Sequence, residues 1–334
     1  MKKFINAPEA YVDEMMEGIV AAHHDTVECL NGNLRCYVKR NREKQKVGIV
    51  TGGGTGHLPL FLGYVGDGML DGCAVGGVFQ SPGADDIYAV TKAVDRGMGV
   101  LYLIGNYTGD LMNFGIAAEL AEMDGIKVRT LAGTDDAASA PLDEAHKRRG
   151  VAGIFFVYKA AGAMADAGGS LDEVCRVAEK ANRNVHTVGV AASPCVIPEV
   201  GRPSFEIGEG EMEFGMGIHG EPGILRQPLR PVEEIVSDML ALILGELDAA
   251  PGDEVSVLVN GLGATSLEEL YIAFRSVAAI LEDKGISIFS SYVGEFATSM
   301  EMSGFSLSLL KLDGELKELL RREAHTPFFT QNAG

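Results

Sequence analysis

Apolar and polar positions follow two periods along this chain. Short apolar runs end in glycine-rich turns, and longer segments between them carry apolar residues at helical spacing. That alternation predicts α/β units. Residues 47–51 read as a buried strand running into Gly52-Gly-Gly-Thr-Gly-His57. Residues 73–79 read as a second strand. The helix expected over 85–97 places Ile87, Val90 and Val94 on one face, with Asp85 and Asp86 at its N-terminal end and Gly97 as its stop. Residues 99–104 form a third expected strand, ending at Gly105-Asn-Tyr-Thr-Gly-Asp110. A helix follows from Leu111, with Phe114, Ala118 and Ala121 on one face, and 126–131 reads as a fourth strand.

Residues 132–150 are polar and include Pro141, which predicts a long surface loop. Helical patterns return through 151–182. A second set then opens with a strand at 186–192, a helix at about 232–247, a strand at 254–260, a helix at 267–285 and strands at 286–293 and 305–312. The expected fold class is α/β, with two α/β domains, each a mostly parallel or mixed sheet flanked by helices. Residues 1–185 would carry the glycine-rich loop, and 186–334 a glycine-flanked histidine. No internal repeat or low-complexity tract is evident.

Composition narrows the function classes. At 334 residues, the chain is long enough for one large or two medium domains. No apolar run is long enough to predict a membrane span, and the first residues lack the apolar core of a secretory leader. Acidic residues number 47 against 28 Lys and Arg, for a net charge of −19, which argues against nucleic acid as a partner. The five cysteines are scattered with no C-x-x-C pair, so neither a metal site nor a redox motif is signalled, and a reducing cytoplasm is expected.

Three segments carry candidate chemistry. The 52–57 loop follows a strand and its glycines permit close approach to the backbone, but it has neither the P-loop Lys-Ser/Thr pair nor G-x-G-x-x-G spacing. It reads equally well as a tight turn, and His57 tips the balance toward a site at the carboxyl end of a strand. Asp110 ends another strand at the same sheet edge. It is either a partner for acid–base work with His57 or the cap of the helix at Leu111. In Glu213-Phe-Gly-Met-Gly-Ile-His219-Gly-Glu-Pro-Gly223, a single histidine stands among glycines that would leave its imidazole open to a small molecule. Of seven histidines, His23, His24 and His146 read as surface residues, and His186 and His325 lie in uninformative context. His57 and His219 lack a third metal ligand at recognisable spacing.

Together, "GGGTGH", "NYTGDLMNF" and "EMEFGMGIHGEPGI" resemble the dihydroxyacetone kinase family, in particular its ketone-binding subunit type, DhaK. The resemblance runs from "MKKFIN" through "NGLGAT" and "TSMEMSGFSLSLLKLD" to "HTP". It implies that His219 adds to a ketone carbonyl as a hemiaminal, that His57 accepts a proton and that Asp110 binds the reacting hydroxyl. Gly54, Thr55, Gly56 and Ser81 would line the ketone pocket. Gly105 stands at a pocket position where the usual family pattern has lysine, and Leu58 stands where it has glutamate; both open the choice of ketose, with a four-carbon tetrulose as the alternative to dihydroxyacetone. The resemblance also implies that this chain binds no cofactor itself. ADP or ATP with Mg²⁺ would sit on a DhaL-type nucleotide-binding subunit, fed in one branch by a DhaM-type phosphotransferase. A homodimer is implied as well. Some relatives act as ketone-binding co-activators of a transcription regulator, which keeps a sensor as the reading from a different class. Arg226 and Arg230 are either partner contacts or solvated surface charges.

Overall fold

The computed structural model describes residues 2–333. Helix α1 (Tyr11–Ala22) leads into a six-stranded sheet of β1 (Val27–Cys29), β2 (Cys36–Lys39), β3 (Gly48–Thr55), β4 (Gly72–Val78), β5 (Val100–Gly105) and β6 (Val128–Gly133), in the order β1-β2-β4-β3-β5-β6. Strands β4, β3, β5 and β6 are mutually parallel, so β3, β4 and β5 deliver their carboxyl ends to one edge. Helices α2 (Ala84–Val94) and α3 (Thr108–Met123) cover one face. Helices α4 (Ile154–Asp166) and α5 (Leu171–Arg183) cover the other.

The second sheet comprises β7 (Val185–Ser193), β8 (Glu211–Phe214), β9 (Leu225–Pro228), β10 (Glu254–Gly261), β11 (Ser287–Gly294) and β12 (Ser303–Lys311), in the order β11-β10-β12-β7-β8-β9. Only β10 and β11 pair in parallel. Helices α6 (Val232–Leu247) and α7 (Leu267–Asp283) cover its outer face, and α8 (Gly314–Arg321) precedes a small hairpin, β13 (Ala324–His325) and β14 (Thr330–Gln331). The chain is therefore α/β with two helix-flanked sheets.

Side-chain alternation explains the layering. Along β5, Leu101 and Leu103 join the central core, whereas Val100, Tyr102 and Ile104 face α2 and α3. Along β10, Val257 and Val259 face α6 and α7, while Leu258 turns inward. The central core combines Ile49 and Leu103 of the first sheet, nearly all of α4, and Leu258 and Leu310 of the second. Helix α4 is apolar all round because it is packed on every side. Its one cation, Lys159, is fully buried and donates from Nζ to the Arg322 carbonyl at 2.5 Å, at the end of α8.

Three expectations are revised. Helix α2 stops at Val94, because Asp95 is extended and its carboxylate accepts from the Gly97 amide at 3.0 Å. Helix α3 begins at Thr108 instead of Leu111. Residues 132–150 are not a purely surface loop. Asp135, Asp136 and Arg148 are buried there, each with partners. Asp135 accepts the amides of Val151 and Gly153 at 2.9 and 2.8 Å, and Arg148 makes a two-bond contact with Glu246. Strands β1, β2, β8, β9, β13 and β14 and helix α8 were not anticipated.

Candidate active site

The carboxyl ends of β3, β4 and β5 converge on the segment that follows β8. Strand β3 runs through the glycines, and Gly56 (φ 101°) turns the chain into His57. That ring is completely buried. Its Nδ1 lies 2.9 Å from the Thr298 carbonyl, which only accepts, so Nδ1 carries the proton and Nε2 the lone pair. The buried Nε2 has no protein partner. Burial, reinforced by nearby His219, pushes the His57 pKa down to about 3, so the ring is neutral.

Glycines 54 and 56 serve packing as well as access. A Cβ on Gly54 would lie 2.6 Å from the Gln80 nitrogen, and one on Gly56 would lie 2.7 Å from the Phe79 ring. They make room for a corner in which Phe79 takes φ 55° and stacks on His57 at 4.8 Å. Thr55 is buried, its carbonyl accepts from the Phe79 amide at 3.0 Å, and its hydroxyl lacks a partner.

Asp110 sits in the first turn of α3, two residues after the helix starts. The cap position is Tyr107, and no side chain caps the end, so Asp110 is not the cap. It is 4% exposed, and its Oδ1 lacks a hydrogen-bond partner. Burial raises its pKa to about 6, against the opposing effects of a Ser81 hydrogen bond and the proximity of His219.

His219 follows β8 in a tight turn. Its Nδ1 is 2.8 Å from Glu221 Oε1, and its backbone amide donates to Glu221 Oε2 at 2.9 Å. Its ring stands edge-on to His57 (4.6 Å), Phe79 (5.3 Å) and Tyr107 (4.7 Å). A Cβ on Gly217 would fall 2.2 Å from Glu221 Oε2, so this glycine makes room for the carboxylate that grips the histidine. The Glu221 pKa is held at about 2: burial raises it, but the hydrogen bond from His219, the proximity of that ring and the charge of Arg149 outweigh that effect.

Asp110 and His219 line a cavity of about 310 Å³; His57 is not among its lining residues and reaches the site through its ring contact with His219. Gly54 and Ser81 also line the cavity, as do Phe79, Gln80, Tyr107 and Glu221, which the sequence reading did not single out. Thr55 and Gly56, expected to line the pocket, are not among its lining residues. Gly105 lies behind Tyr107, whose ring occupies the space a side chain at 105 would enter; a Cβ there would be 2.7 Å from Cδ2. A side chain at 105 would therefore compete with an aromatic ring for its space. Glu221, two residues from His219, was within reach of sequence reasoning. Arg226 pairs with Glu213, and Arg230 with Asp238 and Glu234. Among the described residues, no three metal-ligating side chains cluster, and no helix is long and apolar enough to cross a membrane.

A Dak1 domain model matches residues 17–328. The chain belongs to the Dak1 family. It is 46% identical over 330 residues to the Listeria innocua protein called PTS-dependent dihydroxyacetone kinase 2, dihydroxyacetone-binding subunit DhaK, covering 98% of this chain and 99% of the relative. It is 42% identical to an L-erythrulose kinase of Pectobacterium atrosepticum, over the whole of this chain but 57% of that longer relative. Among solved structures, the dihydroxyacetone kinase operon co-activator Dha-DhaQ superposes with a TM-score of 0.89 at 33% identity, covering 96% of this chain and 98% of the co-activator. The Dak1 assignment agrees with the resemblance read from the three motifs.

Proposed function

We propose that this Dak1 chain holds a short 2-ketose, dihydroxyacetone first, as a hemiaminal on His219 Nε2 for phosphoryl transfer from a nucleotide-bearing partner subunit. The observation that carries the reading is the set of free atoms on Asp110 and His219, which line one cavity, and on His57, whose ring packs 4.6 Å from His219. His219 has Nδ1 engaged and, among the described residues, no hydrogen bond to Nε2. Asp110 Oδ1 and His57 Nε2 are buried without partners. A nucleophile, a base and a neutral acceptor left unsatisfied together suit a carbonyl flanked by hydroxyls.

The roles divide by protonation. A carboxylate with a pKa near 6 is ionised at neutral pH and matched to removing a hydroxyl proton, so Asp110 is the base. His57, with its pKa near 3, is too weak a base for that step and orients the hydroxyl by accepting its hydrogen bond. A three-carbon ketose offers few contacts, and non-covalent affinity is limited to about −1.5 kcal/mol per heavy atom at best. A reversible C–N bond raises affinity and rejects glycerol, which has no carbonyl.

Phosphoryl transfer then needs in-line positioning and charge neutralisation. Asp110 is the one cavity carboxylate not already engaged by His219, and a single such donor suits a hydroxyl better than an octahedral Mg²⁺. We therefore assign ADP or ATP with Mg²⁺ to a DhaL-type subunit, recharged by a DhaM-type phosphotransferase. The words "PTS-dependent" and "subunit" in the Listeria relative's name support this assignment. Five free cysteines fit a cytoplasmic location. The exposed Leu225 and Leu229, in and just after edge strand β9, support a homodimer, which sedimentation tests.

The test combines mass spectrometry of protein incubated with dihydroxyacetone or L-erythrulose and a phosphorylation assay with the nucleotide-bearing partner. The reading expects an adduct on the His219 peptide and turnover of at least one ketose. An adduct without turnover points to a sensor, as the likeness to the co-activator would have it. No adduct with either ketose overturns the reading.

A further inference from the structure

We propose that Glu221 is a positioning residue that holds His219 in the Nδ1–H tautomer and aims Nε2 at the ketone carbon. The inference rests on the reading that His219 bonds the ketone. Glu221 accepts from both ends of the same residue, ring Nδ1 at 2.8 Å and backbone amide at 2.9 Å. An ionised carboxylate only accepts, so the shared proton resides on Nδ1 and the lone pair on Nε2. Gripping ring and backbone together also opposes rotation of the imidazole.

Two neighbours are built around that carboxylate. Gly217 leaves it space, since a Cβ there would meet Oε2 at 2.2 Å. Arg149 Nη1 lies against the same glycine, 2.7 Å from that Cβ position. Arg149 is itself fixed by Asp136 (Nε to Oδ2, 2.7 Å) and donates to the Gly215 carbonyl at 3.0 Å. Its positive charge helps keep Glu221 ionised. A hydrogen-bonded carboxylate behind an imidazole raises the basicity of the far nitrogen.

The bond changes balance without a co-reactant. The Nε2 lone pair forms the bond to carbon, and the C=O π pair moves to oxygen. The proton that Nδ1 gives up as the ring returns to neutrality is replaced, through solvent, on the carbinol oxygen.

The experiment uses the full chain labelled with ¹⁵N-histidine. It reads the His219 tautomer from imidazole ¹⁵N shifts and the dissociation constant for dihydroxyacetone, in the unmodified protein, Glu221→Ala and Glu221→Gln. The unmodified protein should show Nδ1–H. Glu221→Ala should lose that preference and bind dihydroxyacetone about 10–100-fold more weakly. Glu221→Gln, whose single amide oxygen can still accept from Nδ1 but not also from the backbone amide, should keep the tautomer and recover part of the affinity lost in Glu221→Ala. An Nε2–H tautomer in the unmodified protein overturns the proposal, as does Glu221→Ala with unchanged tautomer. If the unmodified protein shows Nδ1–H but takes up neither dihydroxyacetone nor L-erythrulose, the ketone reading falls, while the grip on Nδ1 stands.

Discussion

Replacing Asp110 by asparagine probes the cavity's electrostatics and its chemistry together. The carboxylate is 4% exposed, Oδ1 has no partner, and burial moves its pKa from 3.8 to about 6 despite Ser81 and His219. About two pKa units correspond to about 3 kcal/mol, an upper bound on what the charge costs the fold. The sign follows from linkage. Well below the unfolded value, the carboxyl is protonated in both states and costs nothing. Between the unfolded value and about 6, the unfolded chain ionises while the folded one keeps its proton, so stability falls as pH rises. Above about 6 the full cost is present. Asparagine keeps the shape and removes the charge. Asp110→Asn should therefore be more stable than the parent by up to about 3 kcal/mol at about pH 8, with the gain fading toward about pH 4. Denaturant titration of both proteins across that range measures it. In the same preparations, the ketose adduct should persist while phosphoryl transfer falls by about 100-fold or more. A variant less stable than the parent at the upper pH, or a gain that ignores pH, would refute the reasoning.

Gly217→Ala should lower dihydroxyacetone affinity by about 10–100-fold with a thermal midpoint within a few degrees of the parent. The added carbon strikes the ends of two side chains, Glu221 and Arg149, and not backbone. Calorimetric binding checks this, and parental affinity would contradict it. His57 should show no titration between about pH 5 and 8 in imidazole NMR, because its burial holds it neutral; a midpoint near 6.5 would contradict that. Gly105→Lys should push the Tyr107 ring toward His219, 4.7 Å away, and lower the erythrulose-to-dihydroxyacetone binding ratio. An unchanged or raised ratio in a two-ketose binding panel would count against Tyr107 as the wall that separates them.

Much of the fold was legible because its strands are strongly patterned. Residues 254–260 alternate so regularly that their two faces are separable by eye, and they feed two different cores. The short strands β1 and β2 lacked that pattern. Residues 135, 136 and 148 looked like loop surface because burying charge is costly unless it is paired, and their partners (Arg149 and the Val151 and Gly153 amides for the aspartates, Glu246 for Arg148) are brought to them only by the fold. The site divides in the same way. His57, Asp110 and His219 stood out through their glycine-rich or strand-end settings, and they meet at one place. The reason for the glycines was not legible. Gly54, Gly56 and Gly217 accommodate Phe79, Gln80 and Glu221, and only the folded backbone shows which neighbour each would strike.

The most direct test of covalent capture at His219 is NMR of the full chain carrying ¹⁵N-histidine, mixed with [2-¹³C]dihydroxyacetone. The account predicts that the bound ketone's carbonyl signal is replaced by a tetrahedral carbon with a one-bond coupling to His219 Nε2, absent in His219→Ala. A bound ketose that keeps its carbonyl signal, or a tetrahedral carbon that survives His219→Ala, would contradict it.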